Sequence, residues 1–103
     1  MMALYQCNWR WPGVEDPNER LQRFRRVTLA VDAERPDLRQ RIKGWFTYPG
    51  EWAGFLLVEV AGTEELRDIL QPFTALMRID VKPVVQVDYD TVLKQMAASA
   101  SRP

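Results

Sequence analysis

Residues 41–60, RIKGWFTYPGEWAGFLLVEV, constrain the fold more than any other part of this 103-residue chain. Two runs of aromatic, β-branched and aliphatic residues, Arg41 to Tyr48 and Gly54 to Val60, flank Pro49-Gly50-Glu51-Trp52-Ala53. Runs of this composition read as strands, and a five-residue connection carrying Pro-Gly reads as a hairpin loop that favours antiparallel neighbours. The rest of the chain has to complete a sheet around this hairpin and cover it.

Upstream, Met2 to Trp9 (MALYQCNW) is rich in strand formers and is broken by Pro12-Gly13. Asp16-Pro17 then supplies an N-cap followed by proline at the first helical position, with Glu19 three residues after the cap. Leu21, Phe24, Val27, Thr28 and Val31 recur at helical steps, while Arg20, Arg23 and Arg26 are expected toward water; the helix should end by Pro36. Downstream, Gly62-Thr63-Glu64-Glu65 opens a second helix with Thr63 as its cap. Leu66, Ile69, Leu70, Phe73, Leu76 and Met77 form its apolar stripe, and Pro72 predicts a kink. Ile79 to Val87 is a fourth strand, placed at a sheet edge because Pro83 lacks the donor that a central strand needs. Residues 88–96 add a short helix and residues 97–103 are expected to fray. The order is β-α-β-β-α-β: an α+β, ferredoxin-like domain over residues 1–96, with a four-stranded antiparallel sheet and both helices on one face.

Composition narrows the function. Lys and Arg number 14 and Asp and Glu number 14, so no net field gathers a polyanion, and no nucleic-acid partner is expected. The chain has no histidine, which removes the usual serine, cysteine and zinc hydrolases and an imidazole-held haem. No metal or other cofactor is expected. One cysteine, Cys7, cannot close an intramolecular disulfide, no secretory leader is recognisable and no apolar run is long enough to span a bilayer. The expected location is cytoplasmic, with no membrane partner.

Period-two alternation sorts the strands into two faces. Tyr5, Cys7, Ile42, Phe46, Leu56, Val58 and Val81 are assigned to the helix side, and Leu4, Gln6, Asn8, Lys43, Trp45, Phe55, Leu57, Glu59 and Lys82 to the open side, subject to inversion by a bulge. Leu4, Trp45, Phe55 and Leu57 form a patch that a soluble monomer rarely leaves bare. A second copy packed sheet against sheet would cover it, enclosing Gln6, Asn8, Lys43 and Glu59 in or around a cavity. A bland alternative makes Lys43 and Glu59 a cross-strand pair near solvent.

RIKGWFTYPGEWAGFLLVEV, a following helix carrying LQPFTALM and the strand IDVKPVVQVDY resemble the domain-of-unknown-function family 3303, over roughly residues 3 to 95. Gly44-Trp45 and the Gly54-Phe55 entry to a strand ending in Val58-Glu59 are the most specific pieces. The resemblance implies a homodimer of the dimeric α/β-barrel type and supplies no reaction. The expected function is therefore binding of a small apolar or aromatic ligand, or of a protein partner, with Gln6, Asn8, Trp45, Phe55 and Leu57 as candidate contacts. The alternative is a cofactor-independent monooxygenase or isomerase acting on a small aromatic or carbonyl compound. In it Glu59 would move a proton, Lys43 would stabilise an oxyanion and Asn8 would orient the substrate. The pair Trp9 and Trp11 in NWRWPG reads as a lid on the core edge, and Cys7 as a small buried hydrophobe.

Overall fold

The computed structural model of the chain describes residues 2–12 and 16–100. Gly13, assigned above to the turn after the first strand, and the last three residues of the tail lie outside the described residues. The elements are β1 (Ala3–Arg10), α1 (Pro17–Glu34), a single turn α2 (Leu38–Arg41), β2 (Ile42–Thr47), β3 (Ala53–Val60), α3 (Thr63–Leu70), β4 (Arg78–Val84) and α4 (Tyr89–Ala100). The sheet order is β2-β3-β1-β4 with every neighbouring pair antiparallel, the ferredoxin-like topology. β4 is an edge strand, so Pro83 sits where a missing donor costs least.

Local chemistry sets the element ends. Asp16 caps α1 by accepting from the Asn18 amide at 3.0 Å, and Pro17 follows at the first helical position. α3 is shorter than the apolar stripe suggested. Proline cannot donate within a helix interior, and the chain passes at Leu70 into a 3-10 turn, Gln71–Phe73, that contains Pro72. Leu76 and Met77 lie beyond this turn and are still buried. Thr63 is the first helical residue of α3 rather than its cap, and Glu65 instead accepts the Ala61 amide at 2.9 Å.

The core joins Cys7, Val58 and Val60 of the sheet to Val31 of α1, Leu38 of α2 and Leu66, Ile69 and Leu70 of α3. Ion pairs hold this end of the layer together. Arg35 lies 3.0 Å from Asp37 and 3.4 Å from Glu65, and Arg41 Nε lies 3.1 Å from Glu65 Oε1 without the alignment of a hydrogen bond. The Arg35 guanidinium, mainly by hydrogen bonding, holds the Asp37 carboxyl below its ordinary range. α3 rests directly on β3, whereas α1 stands off the sheet and packs chiefly on the turn at residues 71–73.

Two features depart from the period-two and helical patterns. The β2–β3 register slips between Ile42, opposite Val58, and Gly44, opposite Leu57, so that β2 spends one extra residue there. Every later side chain of β2 is thereby inverted. Trp45 faces the helices and packs edge-on against Phe24 at 5.9 Å, while Phe46 lies on the open face, stacked on Phe55 at 4.7 Å. The second departure is Arg20, which is only 5% exposed instead of facing water.

The C-terminal segment does not fold back. The molecule measures 62 × 31 × 18 Å with a radius of gyration of 17.7 Å, against about 13 Å for a compact chain of this length. α4 accounts for the excess: Asp88 caps it by accepting from the Thr91 amide and hydroxyl, and it extends through Ala97–Ala100, where fraying was expected. It carries no buried residue, and the segment leading through it exposes apolar side chains: Val85 is 85%, Tyr89 75% and Met96 63% exposed.

Candidate functional site

The space beneath the raised α1 is a cavity of about 780 Å³. Its floor is the helix side of the sheet (Cys7, Trp9, Trp45, Leu56, Val58), its roof is α1 (Leu21, Phe24, Thr28), and the 48–52 loop forms one rim. The volume falls in the range of small-molecule sites, roughly 300–1,000 Å³. Treated as a sealed void at about 24 cal/mol per Å³, it would cost about 19 kcal/mol, more than the ~5–15 kcal/mol that holds a whole domain together. It is therefore a space open to solvent or to a ligand, and Trp45, Tyr48 and Trp52 at its margin are partly exposed.

NWRWPG builds one wall. β1 runs on past Arg10 by one rung, the Trp11 amide donating to the Trp52 carbonyl at 2.9 Å. This sets the Trp11 and Trp52 rings edge to face at 6.2 Å, with Trp11 against Phe24 at 5.7 Å and Phe24 against Phe73 at 6.1 Å. The Arg20 guanidinium lies over both indoles, 5.2 Å from Trp11 and 5.6 Å from Trp52, and donates to the Pro12 carbonyl at 3.3 Å. A cation buried against two π faces fixes the end of α1 to the hairpin loop. The tryptophan pair is thus part lid and part cavity wall, and Arg20 is the residue the sequence reading missed. Its position four residues after Asp16, beside a tryptophan-rich strand end, was the available signal.

Trp9 fits only because Gly54 lies opposite it in the register; a Cβ there would come within 2.6 Å of Trp9 Cζ2. Trp9 and Thr28 line the cavity, but their polar atoms Nε1 and Oγ1 are covered by protein and lack a hydrogen-bond partner among the described residues. Each orphaned group costs about 1–3 kcal/mol. Cys7 lies on the floor, and burial pushes its thiol up to about 11, so it stays neutral and a poor nucleophile at ordinary pH. The charged residues of the lining, Asp32, Arg39 and Glu51, sit at the margin, and Asp32 and Arg39 pair at 3.0 Å.

The candidate residues separate between the two faces. Trp45 lines the cavity; its assignment to the open face is corrected by the β2 bulge. Gln6, Asn8, Phe55, Leu57 and Glu59 belong to the open face, as the register requires. There Gln6 Nε2 donates to Asn8 Oδ1 at 3.0 Å, and Lys43 Nζ lies 3.9 Å from Glu59 Oε1, both partly exposed. Exposed ion pairs of this kind contribute little. None of Glu59, Lys43 and Asn8 lines the cavity, so the residues considered for chemistry and the enclosed aromatic space lie on opposite sides of the sheet. Among the described residues no cluster of three or more His, Cys, Asp or Glu side chains is placed to hold a metal, and no helix is long and apolar enough to cross a membrane.

Solved structures support the fold. A NIPSNAP family protein from Agrobacterium tumefaciens str. C58 is similar at a TM-score of 0.53 and 18% identity, covering 86% of this chain and 96% of that one. A structural-genomics protein, YJCS, is similar at a TM-score of 0.50 and 12% identity, covering 84% and 100%. No curated protein sequence matches the chain. Residues 3–98 match the family described as "Domain of unknown function (DUF3303)", and the chain belongs to that family.

Proposed function

We propose that this protein binds a small, largely aromatic molecule in the cavity between α1 and the sheet. The observation that carries the reading is the cavity itself: about 780 Å³, walled by Trp9, Trp11, Phe24, Trp45 and Trp52 and with its charged groups at the margin. An apolar, aromatic-lined space of that size stabilises a flat apolar guest by removing both surfaces from water. Equilibrium dialysis against naphthalene tests it. Wild-type protein should retain the probe saturably, and Leu56→Trp, which adds an indole to the cavity floor, should abolish retention while leaving the far-UV spectrum unchanged. Wild-type protein that retains no probe would overturn the reading.

The open face and the arm support a homodimer as part of the same proposal. Phe46, 47% exposed, continues an apolar strip with Phe55 and Leu57, and α4 lays out Tyr89, Leu93 and Met96 along one helical side. A stable contact buries roughly 800 Å² per partner, and these two surfaces are the apolar area this protomer has to offer toward one. A second copy of the chain presents the same two surfaces and can cover both reciprocally about a twofold axis. Cytoplasmic location belongs to this proposal too; the single buried thiol suits a reducing compartment.

A further inference from the structure

We infer that the guest is amphipathic: an apolar ring system seated toward the cavity floor, with its polar group confined to one end and kept in water at the margin. This deepens the reading of the cavity as a ligand site and rests on it. The lining is graded in exposure. Cys7 and Val58 of the floor are wholly buried and Ile69 nearly so, whereas Leu29 of α1 is 70% exposed and Trp45 and Trp52 are exposed as well. The floor offers a guest nothing to hydrogen-bond. Trp9 Nε1 and Thr28 Oγ1 are covered by protein, and the Cys7 thiol is a weak donor with no exposed surface. The strands beneath, β1 and β3, are paired along both edges, so their amides and carbonyls are committed to the sheet. A polar substituent carried to that depth loses its water and gains no partner. The margin is different. Asp32, Arg39 and Glu51 stand there, and Thr47, turned to the helix side by the β2 bulge, adds an exposed hydroxyl-bearing residue to the lining. A hydroxyl or amide at that end of the guest stays hydrated, so one polar end is tolerated and two opposite ones are not.

The test uses the full chain and four probes on one ring frame: naphthalene, 2-naphthol, 2,6-dihydroxynaphthalene and 2,6-dimethylnaphthalene. The two hydroxyls of the diol lie at opposite ends of the rings, and the dimethyl compound has the diol's shape without its polarity. Affinities are read by equilibrium dialysis near neutral pH, where all four are uncharged. 2-Naphthol should bind within about threefold of naphthalene, since its hydroxyl stays hydrated at the margin. The diol should bind at least about fivefold more weakly than 2-naphthol, the factor that one desolvated and unpaired group removes. The dimethyl compound should bind at least as tightly as naphthalene. Equal affinity for the diol and 2-naphthol, a 2-naphthol already as weak as the diol, or a dimethyl compound excluded along with the diol would each overturn the inference while leaving the cavity a ligand site. Failure of all four probes to bind, or binding that survives Leu56→Trp, would overturn both.

Discussion

Replacing Gly54 by alanine should destabilise the fold at the cavity floor. The added Cβ would fall far inside van der Waals contact distance of the Phe46 carbonyl oxygen, 2.6 Å from Trp9 Cζ2 and 2.9 Å from Thr47 Cα. Two of those three atoms are backbone of the adjoining strand and cannot rotate away, so either β2 separates from β3 or the Trp9 indole leaves its seat. Overpacking of a core ordinarily costs about 1–3 kcal/mol, and a clash with paired backbone belongs at the upper end, about 3 kcal/mol or more. In a domain this small each kcal/mol moves the melting temperature by roughly 4–8 °C, giving a drop of at least about 12 °C. Gly62→Ala is the control: its Cβ would meet nothing within 4 Å, and the change should stay within about 1 kcal/mol. Thermal unfolding followed at 222 nm reads both. A Gly54→Ala chain melting within about 3 °C of wild type would refute the reasoning that this glycine exists to seat Trp9 against β2.

Three further outcomes follow from the packing. Cys7 keeps its proton in the folded state up to about pH 11, whereas an exposed thiol loses it near 9, so its contribution is complete below pH 9 and is lost as pH rises toward 11. Urea unfolding from pH 8 to 11 should show about 2–3 kcal/mol more loss in wild type than in Cys7→Ala, and parallel curves would contradict it. Arg20→Met keeps the aliphatic stem and removes the cation from Trp11 and Trp52, which should cost about 1–2 kcal/mol and make Trp52 more accessible to acrylamide quenching; unchanged stability and quenching would remove Arg20 from this role. If the proposed homodimer forms through the arm, Leu93→Asp together with Met96→Asp should weaken it at least about a hundredfold in sedimentation equilibrium, since burying a side chain of this kind is worth about 1.5–3 kcal/mol. A dimer of unaltered affinity would exclude the arm from the interface.

The fold was legible because its signals are local. Asp16-Pro17, the Pro-Gly hairpin and the proline on the edge strand each fix geometry within a few residues of themselves, and together they dictate the β-α-β-β-α-β order. The faces of β1, β3 and β4 followed from alternation alone. β2 did not, because a bulge at Lys43 is a property of pairing with Leu57 and Val58 and leaves no mark in the composition of β2 itself. That single slip exchanged Trp45 and Phe46 and, with them, the apparent location of the aromatic site. The cavity was illegible for a related reason: it arises from the height of α1 above the sheet, set by Phe24, Phe73 and the Trp11–Arg20–Trp52 stack, contacts that join distant segments. Arg20 reads as one of three solvated arginines until the strand end beside it is in place.

Leu56 and Leu57 are neighbours in β3 whose side chains point to opposite faces of the sheet, and they allow one direct measurement of where a guest resides. In methyl-labelled protein titrated with naphthalene, the Leu56 and Val58 resonances should shift saturably with the Trp9 indole while those of Leu57 and Leu4 stay in place. Shifts confined to Leu57 and Leu4, with Leu56 and Trp9 unmoved, would put the guest on the open face and contradict a ligand site beneath α1.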